Sequence, residues 1–172
     1  RQSIIEYTHQ DLNWFFDQWM ETTKSIDYGI VNVKPTRINN EYKIKFKRYG
    51  DMQMPIDFRI TAKNTLTYDY TIPNTYLNKK TRAKILPKWF GWDILNPTYT
   101  TKVQIPSGIK LVQIDPSYRL ADVDMMDNYK TPGKPLARES HTLRFESFVN
   151  NMPNWKKYDA NWRPDLWWNS VD

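Results

Sequence analysis

Between Ser25 and Ile72 several runs of the chain alternate between apolar and polar residues, and this period of two constrains the fold more than any other feature. The stretch Tyr42-Lys43-Ile44-Lys45-Phe46-Lys47 alternates without a break. Ile56-Asp57-Phe58-Arg59-Ile60 and Leu66–Ile72 repeat the pattern, and Ile26, Tyr28 and Ile30 begin it. Successive side chains of a β-strand point to opposite faces, so each run predicts a strand with one face in a core and one in water. Asn64-Thr65 separates two of the runs and predicts a tight hairpin turn. Pro106-Ser107-Gly108 predicts a second turn, between strands at Thr98–Ile105 and Lys110–Ile114. With a less regular run near Thr81–Leu86, six or seven short strands fall within about 90 residues, which predicts an antiparallel β-sandwich.

The two ends obey other rules. Leu12, Phe15, Phe16 and Trp19 recur at i, i+3, i+4 and i+7, the spacing of one helical face, and predict a helix over 9–22 that buries those four side chains. Thr8 is placed to cap its start with Asp11 three residues on, and Thr22-Thr23 to end it. An isolated helix of about a dozen residues is marginal in water, so this one needs a partner: the strands that follow, or a domain upstream. Residues 115–140 hold Pro116, Pro132, Gly133 and Pro135 with little periodicity. Residues 141–172 carry Phe145, Phe148, Trp155, Trp162, Trp167 and Trp168 with weak alternation, and read as an irregular, aromatic-rich extension. The expected division is therefore 1–24 helix, 25–128 sandwich, and 129–172 linker and extension.

Side-chain chemistry narrows what such a chain does by itself. It has no cysteine, which excludes disulfides, thiolate zinc sites and thiol nucleophiles. The two histidines, His9 and His141, stand far apart, and neither belongs to an H-E-x-x-H pair. No G-x-S-x-G is present, and five scattered glycines build no phosphate-cradling loop. Asp122-Val123-Asp124-Met125-Met126-Asp127-Asn128 offers three carboxylates to a hard cation, but lacks the spacing, glycine and closing glutamate of an EF-hand, and otherwise reads as a solvated turn. No apolar run is long enough to span a bilayer as a helix. The start, Arg1-Gln2-Ser3-Ile4, has neither an initiator methionine nor a signal-peptide core, so the natural N-terminus is expected elsewhere.

Charge is uneven. Residues 34–114 hold 15 basic and 5 acidic side chains, whereas the segments on either side are slightly acidic. A basic block invites a nucleic-acid reading. In Tyr42–Lys47, however, the lysines and the aromatics take opposite faces, as on any amphipathic strand, and no nucleic-acid partner is expected. Trp89, Phe90 and Trp92 form a dense cluster at a strand-to-loop junction. It is either a stacking platform for a carbohydrate or peptide, or a plug for one end of the sandwich.

The segment Asp11-Leu12-Asn13-Trp14-Phe15-Phe16-Asp17-Gln18-Trp19 resembles the D-L-x-W-F-F-x-x-W helix near the end of the catalytic region of M1-family (gluzincin) zinc aminopeptidases. Met54–Arg59 and Ile105–Asp115, running on into Leu120-Ala121-Asp122, resemble sandwich strands of Bacteroidetes-type members. The resemblance covers about residues 1–128, and departs at Lys24–Tyr28, where the family's G-x-P is absent. It implies a fibronectin- or immunoglobulin-like sandwich lying C-terminal to a peptidase domain of the same polypeptide. It also implies zinc in that parent and none in this chain, and a parent that is periplasmic, outer-membrane-associated or secreted. The tail ending Arg163–Asn169 is similar to the approach to a further β-rich, membrane-associated region. The family's zinc ligands and catalytic residues lie upstream of the helix, so no residue of this chain inherits such a role.

Overall fold

The alternating runs are strands in the computed structural model, which describes residues 1–74, 80–91 and 95–133 together with the backbone of 142–145 and 159–162. Two helices, α1 (Gln2–Thr8) and α2 (Asn13–Met20), precede eight strands: β1 (Tyr28–Pro35), β2 (Glu41–Arg48), β3 (Ile56–Ala62), β4 (Thr67–Ile72), β5 (Lys84–Ile85), β6 (Thr98–Gln104), β7 (Ile109–Ile114) and β8 (Tyr129–Lys130). They form two sheets, a three-stranded one ordered β1-β2-β6 and a five-stranded one ordered β5-β4-β3-β7-β8. Every pairing in them is antiparallel except the short β4–β5 contact.

The inward residues of both sheets share one core. Ile30, Val33, Ile44 and Phe46 come from the first sheet, and Phe58, Ile60, Ile72, Val112 and Ile114 from the second. Phe46 meets Phe58 across the sheets with ring centroids 4.9 Å apart, and Phe58 stacks on Tyr70 at 5.1 Å. The chain is therefore mainly β, with the layers of a β-sandwich, as its alternation predicts.

Both predicted turns are present. In the β3–β4 hairpin the Ala62 N–H donates to the Leu66 carbonyl (2.8 Å), and Thr65 takes the left-handed conformation with φ 69°. Gly108 takes φ 77° in the other turn, but the strands this turn joins, β6 and β7, lie in different sheets. It carries the chain over the edge of the sandwich instead of closing a hairpin.

The N-terminal helix differs from the expected span. His9 adopts a left-handed conformation (φ 52°, ψ 33°) and donates its N–H to the Ile5 carbonyl, which ends α1 before the predicted helix begins. Thr8 is no cap, because its hydroxyl bonds back to the Ile4 carbonyl (2.8 Å). Asp11 Oδ1 accepts from the Asn13 N–H (3.0 Å) and sets the start of α2. Arg1 bridges the two helices, reaching Asn13 and Asp17 at 2.7 Å and Glu21 at 3.2 Å.

The chain divides into two compact units, Arg1–Ala137 and Arg138–Asp172. The first contains both helices and the sandwich, which β8 extends past the expected boundary at 128. In the second, β9 (Thr142–Phe145) and β10 (Asp159–Trp162) pair in parallel, giving regular structure where an irregular extension was expected. The rest of the expected tail, Trp155, Trp167 and Trp168 among it, lies outside the described residues.

Candidate functional site

One end of the sandwich is held by buried polar side chains, whose hydrogen bonds matter because unpaired polar groups are costly away from water. Gln18 of α2 is at its centre. Its Oε1 accepts from the Gln53 N–H (2.7 Å) and its Nε2 donates to the Trp14 carbonyl (3.1 Å). Gln53 in turn donates from Nε2 to the Trp89 carbonyl (3.0 Å). The Tyr28 hydroxyl donates to the Met52 carbonyl (3.0 Å) and accepts from the Met54 N–H (2.9 Å). Burial, opposed only in part by these bonds and by Arg48, pushes that phenol up to about 12, so it stays protonated and serves as a strut. Arg48, on the inward register of β2, is buried and donates to the Gly91 carbonyl (3.0 Å). These bonds fasten α2, the segment 52–54 and the 89–91 segment into one piece. Replacing Gln18 with Ala leaves the buried Gln53 N–H without its acceptor and should cost about 1–2 kcal/mol in a urea melt. A loss below about 0.3 kcal/mol, within the scatter of ordinary surface changes, contradicts the anchoring role.

The face that α2 turns to the sandwich is not the Leu12, Phe15, Phe16 and Trp19 face, for which either the strands or an upstream domain was the expected partner. The side chains of α2 that this chain buries are Trp14 and Gln18. Leu12, Phe15 and Phe16 are only half-buried, and Trp19 is 41% exposed. A helix of two turns has room for one anchored face, and the amide bonds from Gln18 to Gln53 turn that face toward the sandwich. Phe15, Phe16 and Trp19 consequently form a linked aromatic row on the other side, with centroids 5.7 and 5.8 Å apart. The signal for this lay in the i, i+4 spacing of Trp14 and Gln18, and a glutamine does not register as apolar.

Of the two readings of the aromatic cluster, the surroundings of Trp89 fit the plug. Trp89 is 5% exposed, packs edge-on to Tyr28 (5.6 Å) and beside Tyr99 (5.5 Å), and donates its indole N–H to the Asn96 carbonyl (2.8 Å). It is the plug of the sandwich end and has no free face for a sugar. Phe90 is 60% exposed, and Trp92 lies outside the described residues. His9 is exposed at the end of α1, and His141 lies outside the described residues.

The Asp122–Asp127 loop is clasped to the first strand. Ile26 bridges Asp122, the Val123 N–H donates to the Ile26 carbonyl (2.9 Å), and the Ile30 N–H donates to the Asp127 carbonyl (3.0 Å). Asp127 lies so close over β1 that a Cβ on Gly29 would meet its carboxylate, which a side chain at 29 would have to push aside. The oxygens of Asp122 are taken by the Tyr28 and Asp124 N–H groups and the Asn128 amide. Among the described residues no group of three or more His, Cys, Asp or Glu side chains is arranged to hold a metal ion.

The carboxylates nonetheless crowd one another. Burial, then repulsion from Asp124, Asp27 and Asp122, lifts Asp127 to about 7, and burial lifts Asp122 to about 6 against its hydrogen bonds. Asp27 is raised in the same way, by burial and by Asp124. Between the ordinary value of 3.8 and these raised values the folded chain binds more protons than the unfolded chain. The stabilisation is therefore complete below that ordinary value and is lost as the pH climbs through about 6 and 7. Asp69, lowered by its hydrogen bond to Arg59, acts in the opposite sense and only in more acid solution. A denaturant series should show stability falling from mildly acidic to mildly alkaline pH, and Asp127→Asn should flatten that fall. Equal slopes for the two proteins contradict the assignment to this cluster.

Comparison with known proteins finds no family model, no curated protein and no solved structure that matches the chain. Among the described residues no helix is long and apolar enough to cross a membrane.

Proposed function

We propose that this chain is the non-catalytic C-terminal β-sandwich of an M1-like zinc aminopeptidase, and that it buttresses the peptidase domain of the same polypeptide through the outer face of α2. The observation that carries this reading is the split character of that helix. Trp14 and Gln18 are fastened to the sandwich, while Phe15, Phe16, Trp19 and the exposed Met20 stay on the other side. A rigidly mounted row of aromatics suits a second domain, because aromatic rings bring a large apolar area to an interface at little cost in conformational freedom. The residues in that row belong to the very segment, Asp11–Trp19, that resembles the end of the family's catalytic region. Zinc and the reacting groups belong, in this reading, to the upstream domain of an exported parent.

The alternative, a carbohydrate- or peptide-binding module at Trp89, Phe90 and Trp92, loses its principal ring to the core. The test is enzymatic. The whole polypeptide is expected to release N-terminal residues from peptides and to stop when its zinc is chelated, while the 172-residue chain alone is inert. Peptidase activity in the isolated chain, or a parent with no H-E-x-x-H upstream of Arg1, overturns the reading.

A further inference from the structure

The alternation of β2 places Lys43, Lys45 and Lys47 on the outer face of the first sheet, which by itself is ordinary for a solvated strand. The register adds something that no single strand displays. Lys43 is the cross-strand partner of Lys34 on β1 and of Lys102 on β6, so three ammonium groups stand in one row across all three strands. Directly opposed residues of antiparallel strands have Cβ atoms about 4.5–5.5 Å apart, and like charges placed so repel. Lys34, Lys43 and Lys102 are all exposed, and Lys45 occupies the next outward position, one step of about 7 Å along β2.

The local counter-charge is small. Glu41, on the adjoining outward position, meets Lys102 at 3.8 Å and is held by the Thr36 hydroxyl at 2.6 Å. Among the described residues Lys34, Lys43 and Lys45 have no acidic side chain within ion-pair distance. The other end of the face is different, since Lys47 lies over the Tyr49 ring (4.3 Å) and Asp127 covers Gly29, the partner of Lys47. Positive charge is thus in excess at the Lys34–Lys43–Lys102 end, where Glu41 offsets only Lys102.

We propose that this lysine row is a docking surface for an anionic phospholipid bilayer. The face is the outside of a three-stranded sheet, and its cations are flexible point charges, not the planar forks that grip single phosphates in pairs. The aromatics of β2, Tyr42 and Phe46, alternate to the side opposite the lysines, so the row offers no bases a platform to stack on. A plane of phosphate headgroups matches these features and relieves the repulsion within the row. This proposal is independent of any role in a peptidase.

The test uses the full chain in a sedimentation assay with vesicles of phosphatidylcholine, alone or mixed with phosphatidylglycerol. Association is expected only with the mixed vesicles and should weaken as salt is raised. The variant Lys34→Gln/Lys43→Gln/Lys102→Gln should bind about a hundredfold more weakly, at roughly fivefold per lysine. Its denaturant midpoint should not fall, since a repulsive row has been neutralised. The control Lys84→Gln/Lys88→Gln removes charge elsewhere and should bind nearly as the original chain does. Failure to bind the mixed vesicles, equal binding by the triple variant, an equal loss in the control, or capture of a single-stranded oligonucleotide in place of vesicles each overturns the proposal.

Discussion

Replacing Trp89 with Ala is expected to remove about 3–5 kcal/mol of folding stability, whereas Phe90→Ala should change it by no more than about 0.5 kcal/mol. The two rings are neighbours in sequence and differ in surroundings. Trp89 lies against Tyr28 and Tyr99, and its indole N–H holds the Asn96 carbonyl at 2.8 Å. Its own carbonyl accepts from Gln53, so the backbone at 89 belongs to the network that anchors α2. Truncation opens a cavity at the end of the sandwich and leaves the Asn96 carbonyl without its donor, and both effects point the same way. Whole domains are stable by only about 5–15 kcal/mol, so the Trp89 variant should melt far below the original. Urea melts of the two single variants decide the matter. Equal and small losses would mean that Trp89 is not the plug described here.

Gly50→Ala should be the next most damaging change, at about 3 kcal/mol. Gly50 sits where the strand after α2 and the end of β2 are drawn together. The Tyr49 and Gly50 N–H groups both donate to the Asp27 carbonyl, and those of Asp51 and Met52 both donate to Ser25. A Cβ at position 50 would stand 2.4 Å from the Ser25 oxygen and 2.7 Å from the Asp27 nitrogen. Both are backbone atoms, so no side chain is free to swing aside and the two segments must separate. Gly108→Ala is the useful comparison. Its φ of 77° is awkward for alanine, but the nearest atom, the Tyr42 hydroxyl, is 3.2 Å away on a side chain, and a cost of about 1 kcal/mol is expected. If Gly108→Ala proves the more damaging of the two, the close approach at Gly50 is not what holds this junction.

Much of the sandwich was legible because alternation is a local property. Tyr42–Lys47 and Ile56–Ile60 mark β2 and β3 to within two residues, and Asn64-Thr65 marks the turn because it separates two alternating runs and the Asn64 side chain accepts from the Leu66 N–H, although the left-handed residue is the β-branched Thr65. What escaped depends on partners distant in the chain. The assignment of β6 and β7 to different sheets, and the row Lys34–Lys43–Lys102, follow from pairing register, which no single segment encodes. The second face of α2, the one fastened to the sandwich, escaped because its fastening residue, Gln18, is polar, while the hydrophobic pattern marks Phe15 and Trp19. Trp89 illustrates the same limit: an aromatic cluster looks alike in sequence whether it plugs a core or meets a ligand. The clasp at Asp127 left one trace, the glycine at 29, whose meaning emerges only once the loop is seen lying over it.

The central claim is that the aromatic row of α2 serves a neighbouring domain rather than this one, and the most direct test sets one variant in two contexts. Phe16→Ala/Trp19→Ala, measured in the 172-residue chain, should lower stability by only about 1 kcal/mol, because both side chains are partly open and the anchor through Trp14 and Gln18 is untouched. In the proposed aminopeptidase parent the same change should cost about 3 kcal/mol or more, with a parallel fall in peptidase activity, because there the rings would be covered. Equal small losses in both contexts, with activity intact, would contradict the account.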